Sequence, residues 1–293
     1  MPKTLFEDVE YKLPNVAKVP LYSPFRYPGG KSRWYFYIKQ WILSTQPSLF
    51  VEPFAGGAHA GLAVAIEPWA QDIVDNVVLV ELDANVSAVW QTIFSNEVDW
   101  LLDRIQSFEM SHAAAKEAIE AKDQSVRERA FAMIIHNRVS RGGITAPGAG
   151  WVKKGENGKG LHSRWYAQTL VQRIQKIAAV RDRVTFIEGN AFDVLPNYLG
   201  QQAALFIDPP YPKAGGRLYE HSDVDHEEIF RHAASAEGTA LLTYDNSEHV
   251  HALVDAYGFD SEELIVSTTH HTRKTELLIS KDLTWLRSMD PAM

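Results

Sequence analysis

The tetrapeptide Leu49-Phe50-Val51-Glu52 is a short apolar run stopped by Pro53. A glycine pair at Gly56-Gly57, an alanine-rich stretch over residues 60–66 and a second apolar run, Val77-Val78-Leu79-Val80, follow it. Strand, glycine turn, helix, strand is a βαβ unit, which commits the chain to a parallel, doubly wound sheet. The pattern resumes at Val184-Thr185-Phe186-Ile187 and Ala204-Leu205-Phe206-Ile207, then at Ala240-Leu241-Leu242-Thr243 and Glu276-Leu277-Leu278-Ile279. Helices are expected over 32–43 and 225–234, with Asp83 and Asp225 as N-caps. Residues up to Pro20 read as a polar arm or irregular cover.

Between the two α/β halves the texture changes. Residues 100–139 carry helical periodicity, read as two helices with Ser125 starting the second. Residues 141–160 hold seven of the chain's eighteen glycines and three lysines. Such a segment cannot bury enough surface for a core of its own, and a loop this long is usually functional or disordered. Helical pattern returns over 164–180. The chain thus reads as one α/β domain in two pieces, 1–95 and 184–293, around a mainly helical insert, 96–183.

Charge follows the same division. The net charge is −8, yet residues 122–183 hold thirteen Lys/Arg and four Asp/Glu, a balance of +9 that leaves −17 for the rest. A basic insert in an acidic body is the layout of a nucleic-acid-reading lobe, although a solvated helical face would look the same. There is no cysteine, so neither disulfides nor cysteine-ligated zinc is expected. His270-His271 suggests a solvated turn between strands more than a metal site. No apolar run approaches the ~20 residues of a membrane span, and the first residues lack a secretory layout. A soluble, cytoplasmic protein is the expectation, without membrane or metal.

Asp208-Pro209-Pro210-Tyr211 directly follows an apolar strand, and ligands of open α/β sheets sit beyond the carboxyl ends of strands. Two prolines remove two N–H donors and stiffen the turn. A carboxylate, a free carbonyl and an aromatic ring are thereby held in fixed relation, which suits an exocyclic amine on a flat base. The Asp208 carboxylate and the Pro209 carbonyl can each accept an N–H while Tyr211 stacks on the ring. An ordinary turn is the plain alternative.

Glu52-Pro53-Phe54-Ala55-Gly56-Gly57 opens a helix whose first N–H groups are free, and its glycines let backbone approach a ligand. The spacing falls short of G-x-G-x-x-G, which disfavours NAD and leaves other nucleoside cofactors open. Asp83, after the second strand, stands where an acidic side chain accepts ribose hydroxyls. It could equally be a plain helix cap.

Together these motifs resemble the D12 class of N6-adenine DNA methyltransferases, which includes the Dam family. Pro28-Gly29-Gly30-Lys31 is similar to that family's glycine-glycine-lysine motif, and Glu52 to Gly57 to its cofactor loop. Asp83-Ala84-Asn85 resembles its ribose motif and Asp208 to Tyr211 its catalytic motif, in the same order. The resemblance implies a Rossmann-like methyltransferase fold with an inserted target-recognition lobe and S-adenosylmethionine as cofactor. It further implies methyl transfer to N6 of an adenine flipped out of double-stranded DNA, sometimes beside a separately acting restriction endonuclease. Tyr27, Lys31, Glu52, Pro53, Phe54, Gly56, Gly57, Asp83, Ala84, Asn190, Ala191 and Asp208 would line the cofactor, Asn190 standing where the family often has Asp. Asp208, Pro209, Pro210 and Tyr211 would form the catalytic corner. In the insert, His136-Asn137-Arg138-Val139-Ser140-Arg141-Gly142-Gly143 is similar to family elements. DNA contacts are expected from Arg138, Arg141, Lys153, Lys154, Lys159 and Arg164, while Trp165 and Tyr166 are expected to pack the lobe. Methylation of a ribosomal RNA base, a catalytically silent DNA-binding protein and an NAD-dependent oxidoreductase are the alternatives.

Overall fold

The computed structural model describes residues 11–26, 30–146, 148–211, 223–267 and 273–289. Its strands are β1 (Tyr11–Lys12), β2 (Leu49–Glu52), β3 (Asn76–Glu81), β4 (Val184–Glu188), β5 (Ala203–Ile207), β6 (Thr239–Asp245), β7 (Asp260–Ser267) and β8 (Arg273–Ser280). They form one sheet in the order β1-β7-β8-β6-β5-β2-β3-β4. Neighbours are parallel except for β8, which runs antiparallel to both β6 and β7.

Apolar side chains enter opposite faces in alternation, as the period of a strand requires. Phe50, Val77, Leu79, Ala204 and Phe206 belong to one hydrophobic cluster, whereas Val51, Val78, Val80, Leu205 and Ile207 belong to the other. Both faces are covered, which accounts for the unbroken apolar runs. The first face carries α1 (Tyr35–Thr45), α2 (His59–Ile66), the short α3 (Pro68–Gln71) and α4 (Ala84–Ile93). On the second lie α9 (Ala191–Val194), α10 (His226–Ser235) and α11 (Glu248–Tyr257). Asp83 and Asp225 cap α4 and α10, accepting from Asn85 and Val86, and from Glu228, respectively.

Two expectations need correction. Residues 98–139 form three helices, not two: α5 (Val98–Ser107), α6 (His112–Glu120) and α7 (Val126–Val139). The extra break falls where Ser111 accepts the Ala114 N–H and caps α6; Ser125 does start α7, with Glu128 completing a capping box. Nor is the opening stretch merely a cover, since Tyr11–Lys12 pairs with β7 at the sheet edge and Tyr11, Leu13 and Val19 are buried.

The insert ends in α8 (Ala167–Ala178), and its helices share a core with the sheet. α7 packs on α4, and Ile134, Ile135, Leu170 and Ile174 join the cluster that contains Phe50 and Trp90. The glycine-rich stretch is anchored by buried Val152 and Leu161 and by a bridge between Ser140 and Trp151. Among the described residues no helix is long and apolar enough to cross a membrane.

Candidate functional site

β2 lies between β3 and β5, and successive crossovers leave it in opposite directions. That reversal is the switch point where ligands enter sheets of this kind. The register pairs Val51 with Leu205, so Glu52 and Asp208 leave adjacent strand ends.

Beyond β2 the chain turns through Gly56, at φ 47°, and Ala58, at φ 50°, into α2. Glu52 is 3% exposed, and its Oε2 accepts the Gly61 N–H at 2.7 Å. A side chain on Gly61 would collide, since a Cβ there would lie 2.4 Å from Leu79 Cδ2. Burial pushes the Glu52 carboxyl up to about 8, against the pull of the Gly61 N–H. Glu81, at the end of β3, accepts the N–H groups of Gly56 at 2.7 Å and Asp83 at 2.8 Å. Burial raises it to about 7. The carboxylate facing the glycine turn is therefore that of Glu81, while Asp83 is occupied in capping α4. Glu81, two residues before the capping Asp83, is a second strand-end carboxylate at this turn and was readable in sequence. Asn190 is likewise a cap, accepting the Phe192 N–H at 3.1 Å. Phe54 meets Phe192 edge-on at 6.2 Å, and Ala191 is buried below.

Beyond β5, Asp208 joins a cluster drawn from four parts of the chain. Lys31, 5% exposed in a short 3₁₀ turn before α1, places Nζ 2.8 Å from Asp208 Oδ1 and donates to the Tyr211 hydroxyl at 2.9 Å. Thr243 on β6 donates to the same Asp208 Oδ1 at 2.7 Å. Glu276 on β8, which pairs opposite Asp245, sits 3.9 Å from Lys31 Nζ and accepts from the Tyr211 hydroxyl at 3.5 Å. Tyr211 stacks on buried Tyr244, ring centroids 5.9 Å apart. Thr243, Tyr244 and Glu276 had no local signal, because each meets Asp208 or Tyr211 only through sheet pairing. Tyr27 lies outside the described residues, as do Pro28, Gly29 and His270-His271-Thr272.

The expected DNA-facing side chains separate into two groups. Arg141, Lys153, Lys154 and Lys159 are exposed, and Arg164 is half-buried. Arg138 is 7% exposed and donates to the Pro24 carbonyl, so its guanidinium is not a free surface group. It instead lines a cavity of about 420 Å³ with Arg26, His59, Tyr166 and Arg173. Its Nε is buried without a hydrogen-bond partner. Burial, then Arg173, Arg26 and Arg164, push its pKa down to about 9. Trp165 packs edge-on against Phe108 at 5.5 Å, as expected, but Tyr166 is 57% exposed. Among the described residues no group of three His, Asp or Glu could hold a metal.

A family model for D12 class N6 adenine-specific DNA methyltransferases matches residues 27–275, spanning both sheet halves and the insert. The chain belongs to that family. As a D12-class methyltransferase it uses S-adenosylmethionine, and the sheet order is that of a Rossmann-like methyltransferase fold. The residues fit such a cofactor: a close-approach turn at Gly56, the Glu81 carboxylate beside it, and the apolar surface of Phe54. No curated protein matches the sequence significantly. Solved structures similar to this D12-class chain include the precorrin-6y C5,15-methyltransferase from Geobacter metallireducens (10% identity, covering 91% of this chain and 98% of that one, TM-score 0.41). Another is an O-methyltransferase from Bacillus cereus in complex with SAH (11%, 90% and 84%, 0.35). The O-methyltransferase TomG from Streptomyces achromogenes in complex with SAM is a third (10%, 85% and 79%, 0.34).

Proposed function

We propose that this methyltransferase modifies N6 of an adenine in double-stranded DNA, after the base has been turned out of the duplex. The observation that carries the reading is the corner formed by Asp208 and Tyr211 at the switch point, within a chain whose family acts on adenine in DNA.

The difficulty of the reaction lies in the amine. Its lone pair is delocalised into the ring, so acceptors on the amino hydrogens must favour the pyramidal form that develops in the transition state. Lys31 and Thr243 converge on Asp208 Oδ1, which leaves Oδ2 for one N–H. The Pro209 carbonyl takes the other, and the Tyr211 ring, braced by Tyr244, supports the base. S-adenosylmethionine, when bound, supplies the electrophilic sulfonium methyl. Glu81 would accept the ribose hydroxyls and Phe54 would cover the cofactor's adenine, while Glu52 holds the first turn of α2 in place. Fixing the amine in line makes the step effectively unimolecular.

Residues 96–183 read the DNA in this proposal. Arg141, Lys153, Lys154 and Lys159 meet phosphates or base edges. The arginine-lined cavity suits a phosphate, because its charges are of one sign and one buried guanidinium N–H is unsatisfied.

The test is incubation with duplex DNA or ribosomal RNA and methyl-labelled S-adenosylmethionine, followed by digestion to nucleosides. Label in N6-methyldeoxyadenosine is expected. Label confined to RNA would move the protein to another substrate, and DNA binding without any methylation would make it a silent reader.

A further inference from the structure

Lys31 is almost completely buried, and two carboxylates share its ammonium: Asp208 Oδ1 at 2.8 Å and Glu276 Oε2 at 3.9 Å. The Tyr211 hydroxyl links them, accepting from Lys31 at 2.9 Å and donating to Glu276 at 3.5 Å. We infer that Glu276 is a positioning residue for methyl transfer, holding Lys31 between two carboxylates so that the cluster facing the substrate amine carries a net negative charge. This rests on the amine-methylation reading above.

The argument is one of charge. During transfer the nitrogen lone pair forms the new N–CH₃ bond, and the S–CH₃ bond breaks with its pair retained by sulfur. Positive charge thus passes from sulfur to nitrogen, which then releases one proton through Asp208 to water. With Lys31 alone as neighbour, Asp208 would form a neutral pair, and an ammonium would stand beside the developing cation. In a water-poor corner that repulsion is weakly screened. Glu276 brings the trio to a net charge of −1. Glu52, whose carboxyl is raised by burial and by Asp208, does not supply this charge, since it is largely protonated at neutral pH.

Glu276 comes from β8, far in sequence from Lys31 and Asp208, and touches neither the glycine turn nor the cofactor loop in the described contacts. Its substitution therefore separates catalysis from cofactor binding. Glu276→Gln keeps the shape and an acceptor for Tyr211 while removing the charge; Glu276→Asp keeps the charge. Single-turnover transfer, calorimetric S-adenosylmethionine affinity and Tm are measured for both variants and the unaltered protein. Glu276→Gln is expected to slow transfer by about tenfold or more, with cofactor affinity and Tm little changed. Glu276→Asp is expected to recover most of the rate. The inference is overturned if Glu276→Gln transfers at the parental rate, if both variants lose rate equally, or if the loss follows cofactor affinity. Absence of methylation by the unaltered protein on any nucleic acid would instead refute the proposed function.

Discussion

Replacing Glu52 by Gln should remove a pH-dependent penalty on stability. The Glu52 carboxyl rises from 4.5 to about 8 through burial. The folded protein therefore holds a proton that the unfolded chain releases near pH 4.5, and stability falls as pH climbs from there through about 8. His59 acts in the opposite direction, being pushed down from 6.5 to about 4 by burial, so its window closes above pH 6.5. A comparison from pH 6.5 to pH 9 avoids it. Over that range Glu52 loses its proton near pH 8, so the span that counts is the 1.5 pH units from 6.5 to 8. At 1.36 kcal/mol per pH unit this is about 2 kcal/mol. Glu81 titrates in the same window but is present in both proteins. Urea unfolding at pH 6.5 and 9 should show the parent losing about 2 kcal/mol more than Glu52→Gln, whose amide oxygen still accepts from Gly61. Equal losses in the two proteins would refute the reasoning.

Asp208→Ala is expected to raise the barrier to methyl transfer by on the order of 3 kcal/mol while leaving calorimetric cofactor binding largely intact; near-normal turnover would remove Asp208 from the proposed chemistry. Tyr211→Ala should weaken base engagement by ~1–3 kcal/mol, read as DNA affinity in the presence of cofactor. Tyr211→Phe should be milder, because the ring keeps its stack on Tyr244. Gly61→Ala should lower stability by about 1–3 kcal/mol in a denaturant titration, since its Cβ would meet both Leu79 Cδ2 and Glu52 Oε2; an unchanged midpoint would contradict the packing described. Arg173→Ala should reduce the slope of log affinity for DNA against log salt by about 0.9 if the cavity holds one phosphate, and an unaltered slope would exclude that phosphate.

The strands and both site motifs were legible because they are local. Leu49-Phe50-Val51-Glu52 declares a doubly buried strand in four residues, and Asp208-Pro209-Pro210-Tyr211 declares a rigid turn in four more. What escaped notice depends on partners remote in sequence. Tyr11–Lys12 becomes a strand only because β7 offers a free edge. Glu276 and Thr243 reach Asp208 and Tyr211 through the pairing of β6 with β8 and β5, which no spacing rule encodes. Glu81 was passed over for another reason, since the capping Asp83 beside it carries the acidic signal, and only the Gly56 N–H pointing at Glu81 brings in the second carboxylate. Arg138 read as a surface cation because helical periodicity does not reveal that the segment around Pro24 closes over it.

The continuous core beneath the insert bears on how such proteins diversify. Helices α7 and α8 contribute Ile134, Ile135, Leu170 and Ile174 to the layer that covers Phe50 and Trp90. Grafting residues 96–183 onto another catalytic body would transfer half of an interface with nothing to receive it. Unfolding should accordingly proceed as a single cooperative transition, with no surviving catalytic fragment. Under the proposed function, side chains that set sequence preference can be exchanged at the exposed, glycine-rich rim around Arg141, Lys153, Lys154 and Lys159 without disturbing the layer underneath.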